Sequence, residues 1–556
     1  FHVSATFKLL KGLNISKKLI LAVLSGYYST TIITSLLEGV SMLLVVNIFT
    51  GSSVIMDGNS PLDKIIDFIQ SLGFSLQFPD IVPLLIGLLS ISLAARFSLL
   101  FFDGALGAFL RRRIQETIFK TFLRGDWSHM RNVRVGDAVG TNTQESLSLS
   151  KYLTCIVQAI YFMLSALIMV TLAFYASFKV TLILGVIILP LVYLIQKMVG
   201  ISASFSKVCA AKRNEFSSNI TDRFNGLLQI HVDENYDYHI HQGLKAQSQL
   251  TRLEVVASLS QAVIGSFSLL LPVTALIGFS IWSLFVEEKS SLNLTLIASV
   301  CALSLRGAGQ LNAAIGQIGN VARMSGSLYP VMGALSVPPV PTKQAISEKI
   351  VRIEVDKVSY AYGENLVIKN FTLIAEKGFP LVLQGPSGKG KTTLANLMAG
   401  LYYPSTGKLF YFGAYGKKYD SSDYRPRVGF VTQDIYLFRG SLRSNLTAGR
   451  NRTDEQIWMA LDQVDAAEFV KTMGGLDTES TEAGRSLSGG QRRRLGIARV
   501  LLSDSDILIF DEVTAGLDAT NKAAVLGVIE QLSKSYIVLI ISHEKISLPG
   551  QVLFSV

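Results

Sequence analysis

The chain has 556 residues, 49% of them apolar and only 17% charged, and a formal charge of +10 from 51 Lys and Arg against 41 Asp and Glu. Soluble globular chains carry about 25% charged residues, so the composition excludes a disordered protein and argues against a wholly soluble one. Three cysteines, Cys155, Cys209 and Cys301, are too few and too far apart for a disulfide framework or a zinc cage and read as packing residues.

The first residues mix Phe7, Leu9, Leu10 and Leu13 with lysines, the pattern of an amphipathic helix lying on the inner membrane surface. The apolar stretch that follows is too long for a signal peptide. A membrane-spanning helix needs about 20 apolar residues. Six candidate spans meet this, at roughly 19–49, 81–110, 152–177, 180–199, 253–286 and 292–320.

Lys and Arg set the orientation. Lys8, Lys11, Lys17 and Lys18 precede the first span. Arg111 to Arg134 fill the loop after the second, and Lys207 to Arg252 the loop after the fourth. The opposite face carries only Lys64, Lys179 and Lys289. The N-terminus, both long loops and the C-terminal half are therefore expected in the cytoplasm.

Glu38, Arg96, Asp103 and Arg306 fall in or near spans. Each costs about 2.5–3.5 kcal/mol at a helix centre, so each needs a partner or a wet cavity. Arg96 and Asp103 are seven apart, hence on one face. Interhelical pairing or snorkelling at the membrane edge is favoured over a polar substrate pathway. The last span is rich in small residues such as Gly307, Ala308 and Ala314, which close helix packing explains. His231, His239 and His241 lie beside Asp233 and Asp237. A metal site is conceivable there, but His239 and His241 face different sides of a helix, and a solvated surface is favoured.

Pro330, Pro338, Pro339 and Pro341 are read as blocking regular structure over 326–350. The expected organisation is a six-helix α-helical transmembrane domain at 1–330, a linker at 331–350, and an α/β P-loop nucleotide-binding domain at 351–556.

In that last part, LVLQGPSGKGKTT completes the P-loop pattern with Gly385, Gly390, Lys391 and Thr392. Glycines let backbone N–H groups turn inward around phosphate oxygens, and the following helix N-terminus adds positive potential. Lys391 can reach the β- and γ-phosphates, and the Thr392 hydroxyl can ligate Mg²⁺. The run ILIFDE reads as a buried strand ending in Asp511, placed to hold Mg²⁺, and Glu512, placed to polarise a hydrolytic water.

LSGGQ at Leu487–Gln491 joins these motifs, and with it the chain resembles an ATP-binding-cassette (ABC) transporter, specifically an exporter-type (type IV) half-transporter. The resemblance covers the whole length and implies ATP and Mg²⁺ as ligands. It implies contacts to ATP from Gly385, Pro386, Ser387, Gly388, Lys389, Gly390, Lys391, Thr392 and Thr393. Tyr362, rather than its neighbour Tyr360, matches the aromatic that stacks on adenine. Gln433 matches the Q-loop glutamine near Mg²⁺, Asp518 the D-loop aspartate, and His543 the switch histidine. Ser488, Gly489, Gly490 and Gln491 match the signature that meets the γ-phosphate of the opposite subunit.

One P-loop and one signature on one chain imply a second subunit, most simply in a C2 homodimer, with a heterodimer as the rival. By resemblance, coupling helices lie near Asp126–Arg134 and Phe224–Asp233, the second docking on the partner. Two departures stand out: AGLD replaces the usual SALD, and TEAGRS precedes the signature where a Gly-Glu pair is common. The implied function is ATP-driven export or flipping of an amphipathic substrate: a lipid, lipid-linked glycan, peptide, siderophore or drug. The implied place is multi-pass in a bacterial inner membrane, among lipid and without nucleic acid. The alternatives are a siderophore-type importer on the same scaffold, or a non-pumping membrane ATPase acting as regulator or channel.

Overall fold

The computed structural model describes residues 17–50, 71, 78–131, 133, 135–176, isolated positions between 178 and 224, then 226–285, 294–386, 388–433, 435–480, 487–515, 519–549 and 551–555. The chain forms two compact units, one of residues 1–124 and 133–337, the other of residues 125–132 and 338–556.

The first unit is helical. Helices α1 (Lys17–Thr50) and α2 (Phe78–Leu123) come first. The short α3 (Trp127–Met130) belongs to the second unit. Then come α4 (Val135–Gly140), a π-helical turn at Thr141–Glu145 and α5 (Ser146–Ala176). Helices α6 (Leu227–Asp233), α7 (Tyr236–Phe285), α8 (Leu294–Met324) and α9 (Leu328–Leu335) complete it.

Among the described residues, Leu21–Val45, Val82–Leu123 and Val135–Ala176 are long and apolar enough to cross a membrane. The expected fourth span lies largely outside the described residues. The fifth and sixth follow α7 and α8, with many of their side chains also outside. The face of α2 bearing Leu93, Phe97, Leu100 and Phe101 is 70–74% exposed. Water penalises such a run of bare apolar side chains, whereas hydrocarbon does not.

Polar groups inside this unit find one another across helices. Glu38 on α1 accepts hydrogen bonds from Arg306 on α8 at 2.9 and 3.2 Å, and is ion-paired with Arg96 on α2. Asp103 accepts from Gln158 at 3.1 Å and from the Tyr27 hydroxyl at 3.4 Å. Arg96 and Asp103, though on one helix, thus serve different neighbours. Small residues close the α5–α8 contact: a Cβ on Gly307 would stand 3.4 Å from the Cβ of Met169, whereas Gly309, Gly316 and Gly319 face open space.

The proline-rich stretch departs from expectation. Ser325–Ser327 forms a 3₁₀ turn and leads directly into α9, whose Leu328, Val331 and Ala334 are buried with Ile114, Ile118 and Tyr152. Pro330 falls in the first turn of α9, where its missing N–H has no helical acceptor to lose. The break comes at Pro338, where the second unit resumes.

The second unit is α/β. Strands β1 (Gln344–Ala345), β2 (Ile350–Tyr362), β3 (Asn365–Glu376) and β4 (Leu381–Gln384) lead to α10 (Lys391–Met398). Next come β5 (Thr406–Gly413), β6 (Lys418–Asp420), β7 (Tyr424–Arg425), β8 (Val428–Val431) and β9 (Gly440–Ser441). Then follow α11 (Leu442–Thr447), α12 (Asp454–Gln463), α13 (Ala467–Thr472), β10 (Glu479–Ser480) and α14 (Gly489–Leu501). The unit closes with β11 (Ile507–Asp511), α15 (Ala519–Ser533), β12 (Ile537–Ser542) and β13 (Val552–Ser555).

Five strands form a parallel sheet in the order β13-β4-β12-β11-β8, and β3-β2-β5-β6 form an antiparallel one. Continuous apolar runs suit strands covered on both faces. Alternation sorts their side chains: Leu508, Phe510, Val538 and Ile540 enter one core, while Ile507, Ile509, Leu539 and Ile541 enter the other. Arg427 holds Asp506 through both carboxylate oxygens at 3.0 and 3.1 Å, pinning the start of β11 beside β8.

Candidate functional site: a nucleotide pocket at the strand ends

In an open parallel sheet the carboxyl ends of the strands form a natural ligand crevice. Here β4, β12 and β11 are neighbours, with Gln384 opposite Ser542 and Asp511 opposite Ile541. The segments that leave these three ends are the P-loop, His543, and the pair Asp511–Glu512. Sequence positions more than a hundred residues apart are thereby delivered to one place.

The P-loop turns into α10 through Gly390, which caps the helix at φ +88°. A side chain there would be strained, and its Cβ would press to 3.0 Å from Val367. Lys391 is buried and donates to the carbonyls of Gly385 at 2.7 Å and Pro386 at 2.8 Å. Burial lowers its pKa, against the pull of Glu512 and Asp511. The ammonium thus braces the loop that it would share with a triphosphate. Gly388 and Lys389 are exposed, and Ser387 lies outside the described residues.

Glu512 has a left-handed backbone, φ +52°, rare for a residue with a side chain. Its N–H is held by the carbonyl of Ile541 at 3.0 Å. That conformation turns the carboxylate toward two partners. Gln433 Nε2 donates to Glu512 Oε2 at 2.7 Å, and His543 Nε2 stands 2.6 Å from Glu512 Oε1. His543 Nδ1 is 3.1 Å from the Gly385 carbonyl.

Thr392 Oγ1 donates to Asp511 Oδ2 at 3.4 Å. Burial chiefly, and the neighbouring Glu512, raise the Asp511 pKa. The paired Thr392 hydroxyl and Asp511 carboxylate are hard-oxygen donors that fit Mg²⁺, and Gln433, which contacts the neighbouring Glu512, carries an amide oxygen of the same kind. Elsewhere, no cluster of three or more His, Cys, Asp or Glu suited to a metal exists among the described residues, including His231, His239 and His241.

Lys391, Thr392, Glu512 and His543 line one cavity of about 500 Å³, together with Tyr362, Trp127, Arg131 and Tyr402. Tyr362 hydrogen-bonds Thr393 through its hydroxyl at 3.1 Å. Tyr360 is instead buried and stacked on Tyr402, so that of the two candidate tyrosines it is Tyr362 that lines the cavity.

Residues 368–515 match the ABC transporter family. The second unit carries an ABC transporter domain. An uncharacterized ABC transporter ATP-binding protein of Bacillus subtilis is 39% identical over 189 residues, 34% of this chain and 33% of that protein. A putative multidrug export ATP-binding/permease protein of Staphylococcus aureus is 35% identical over 219 residues, 39% of this chain and 37% of that protein. The match thus spans about a third of the length of these curated relatives. The whole chain shares the fold of a bacterial Atm1-family ABC exporter with ATP bound, at a TM-score of 0.71 and 18% identity, over 95% of this chain and 92% of that one.

Within the ABC domain, Ser488 caps α14. Its Oγ accepts from Gln491 N at 3.2 Å, and Gln491 Oε1 accepts from Ser488 N at 2.9 Å. This capping box consumes the Gln491 side chain but leaves the Ser488 hydroxyl proton free to donate. Gly489 and Gly490 form the first turn of α14. Asp518 and the TEAGRS stretch lie outside the described residues. Motif reading did not single out Arg131, Trp127 and Tyr402 as site residues.

Proposed function

We propose that the protein is an ATP-hydrolysing primary transporter that exports or flips an amphipathic substrate by alternating access. The observation that carries this reading is Glu512 held between Gln433 and His543 beside the P-loop, on a chain with membrane-length helices. The name of the Staphylococcus relative supports the outward direction. Substrates compatible with the apolar helices are a lipid, lipid-linked glycan, peptide, siderophore or drug.

In this reading ATP lies with its base against Tyr362 and its phosphates over the loop from Gly385 to Thr393. Thr392, Asp511 and Gln433 would hold Mg²⁺, which would offset phosphate charge. Glu512 accepts a proton from the attacking water, which Gln433 and His543 help to place. One face of the triphosphate remains open to water. A second subunit, in a homodimer by preference, closes it with Ser488, Gly490 and the N-terminus of α14. Residues 1–124 and 133–337 then serve as the transmembrane domain, and 338–556 with the inserted 125–132 as the cytoplasmic nucleotide-binding domain of an inner-membrane protein. Closure on ATP favours one state of the membrane helices, and hydrolysis resets it.

Reconstitution in proteoliposomes tests this. ATP-dependent accumulation of a fluorescent lipid or drug in inside-out vesicles, lost in Glu512→Gln, is the expected result. ATPase activity that no candidate substrate alters, accompanied by passive conductance, would instead identify a regulator or channel.

A further inference from the structure

One wall of the nucleotide cavity comes from a distant part of the sequence. Residues 125–132 fold with the second unit. Gly125 bridges to Pro339, and Asp126 N donates to the Pro338 carbonyl at 2.9 Å. The Asp126 carbonyl then accepts from the N–H groups of His129 and Met130 at 3.1 and 3.0 Å. This turn delivers Arg131 with its guanidinium carbon 4.1 Å from the centre of the Tyr362 ring. Arg131 Nη1 also donates to the Tyr402 hydroxyl at 3.3 Å.

Tyr362 is fixed from the other directions. Its hydroxyl is tied to Thr393, and Tyr360 and Tyr402 meet it edge-on at 88° and 86°. Arg131 therefore covers a ring face that cannot easily turn away. A flat base between guanidinium and ring needs two carbon contacts of about 3.5–4.0 Å each, close to twice the separation present. Cation and base cannot share that face.

We propose that Arg131 occupies the base-stacking face of Tyr362 and that the nucleobase of an incoming nucleoside triphosphate displaces it. Arg131 is then a positioning residue that sets affinity for the base, and base binding frees residues 125–132 from this contact. The segment is joined by the chain to α2 and α4, so displacement by the base acts on a stretch continuous with the membrane helices. This inference rests on Tyr362 being the base site.

The test measures equilibrium binding of ATP and of inorganic triphosphate to the full chain in nanodiscs, without Mg²⁺ so that hydrolysis does not intervene. The readout is the ratio of the two affinities, which cancels the effect of Arg131 charge on phosphate. Arg131→Ala is expected to raise the ratio about two- to five-fold, the equivalent of an exposed cation–π contact, and Arg131→Lys to raise it less. A ratio that is unchanged or lower in Arg131→Ala overturns the proposal. Tyr362→Ala should lower the ratio. If it does not, the base site itself is wrong; if it does while Arg131→Ala fails to raise it, only the displacement is wrong.

Discussion

His543 Nε2 stands 2.6 Å from a carboxylate oxygen of Glu512, whose other oxygen accepts from Gln433. A histidine from the end of β12 and a glutamine after β8 thus hold one acid in a fixed direction. Such pre-organisation matters where a water must be aimed rather than a covalent bond formed.

Glu512→Gln keeps the shape and the hydrogen-bond capacity but removes the base. Turnover should fall about 10²–10⁴-fold with ATP binding intact, as read by phosphate release and equilibrium binding. Turnover within tenfold of the wild type would remove Glu512 from this role. His543→Ala should cost less, because it loses orientation only.

Lys391 braces the loop through the Gly385 and Pro386 carbonyls, and in the proposed function it also binds the phosphates. Lys391→Ala should weaken ATP binding about 10- to 100-fold, the scale of one or two charge-assisted hydrogen bonds. Unchanged affinity in a titration would show that the ammonium serves only Gly385 and Pro386.

Ser488 caps α14, and the proposed function gives it a second, separable duty. Ser488→Ala removes the cap of α14, worth about 1 kcal/mol, and should lower the melting temperature of the ABC domain by about 2–4 °C. If its hydroxyl also meets the second subunit's nucleotide, ATPase activity should drop far more than this shift explains. Ser488→Thr, which restores the cap, should restore the melting temperature.

Glu38 joins α1 to both α2 and α8. Glu38→Ala leaves two half-exposed guanidiniums without their acid and should destabilise the helical unit by about 1–3 kcal/mol, between the cost of a surface and a buried pair. Thermal unfolding in detergent reads this. A further removal of both arginines should recover part of the loss, whereas no recovery would mean that the three are energetically independent.

The P-loop and the ILIFDE strand were legible in the sequence because each is local: glycine positions and a buried apolar run encode their own backbone. Their convergence comes from the parallel order β4-β12-β11, which the structure supplies. Arg131 over Tyr362 was not legible, because nothing near either residue encodes a contact across 231 positions. Arg96 and Asp103 could be placed on one face by helical spacing, yet Glu38 and Gln158 reach them from other helices. The helix over Leu328–Leu335 was obscured by proline count, since position within the turn, not the number of prolines, decides whether a helix survives.

Residues 125–132 give the ABC domain an inlaid strip borrowed from earlier in the chain. A fragment excised from residue 338 onward would therefore be missing a piece of its own surface. The Pro338 carbonyl would lose its donor, and the Tyr402 hydroxyl would lose Arg131. Studies of the isolated half would then describe a nucleotide pocket with one wall removed, unless the missing peptide were supplied in trans or fused at its end.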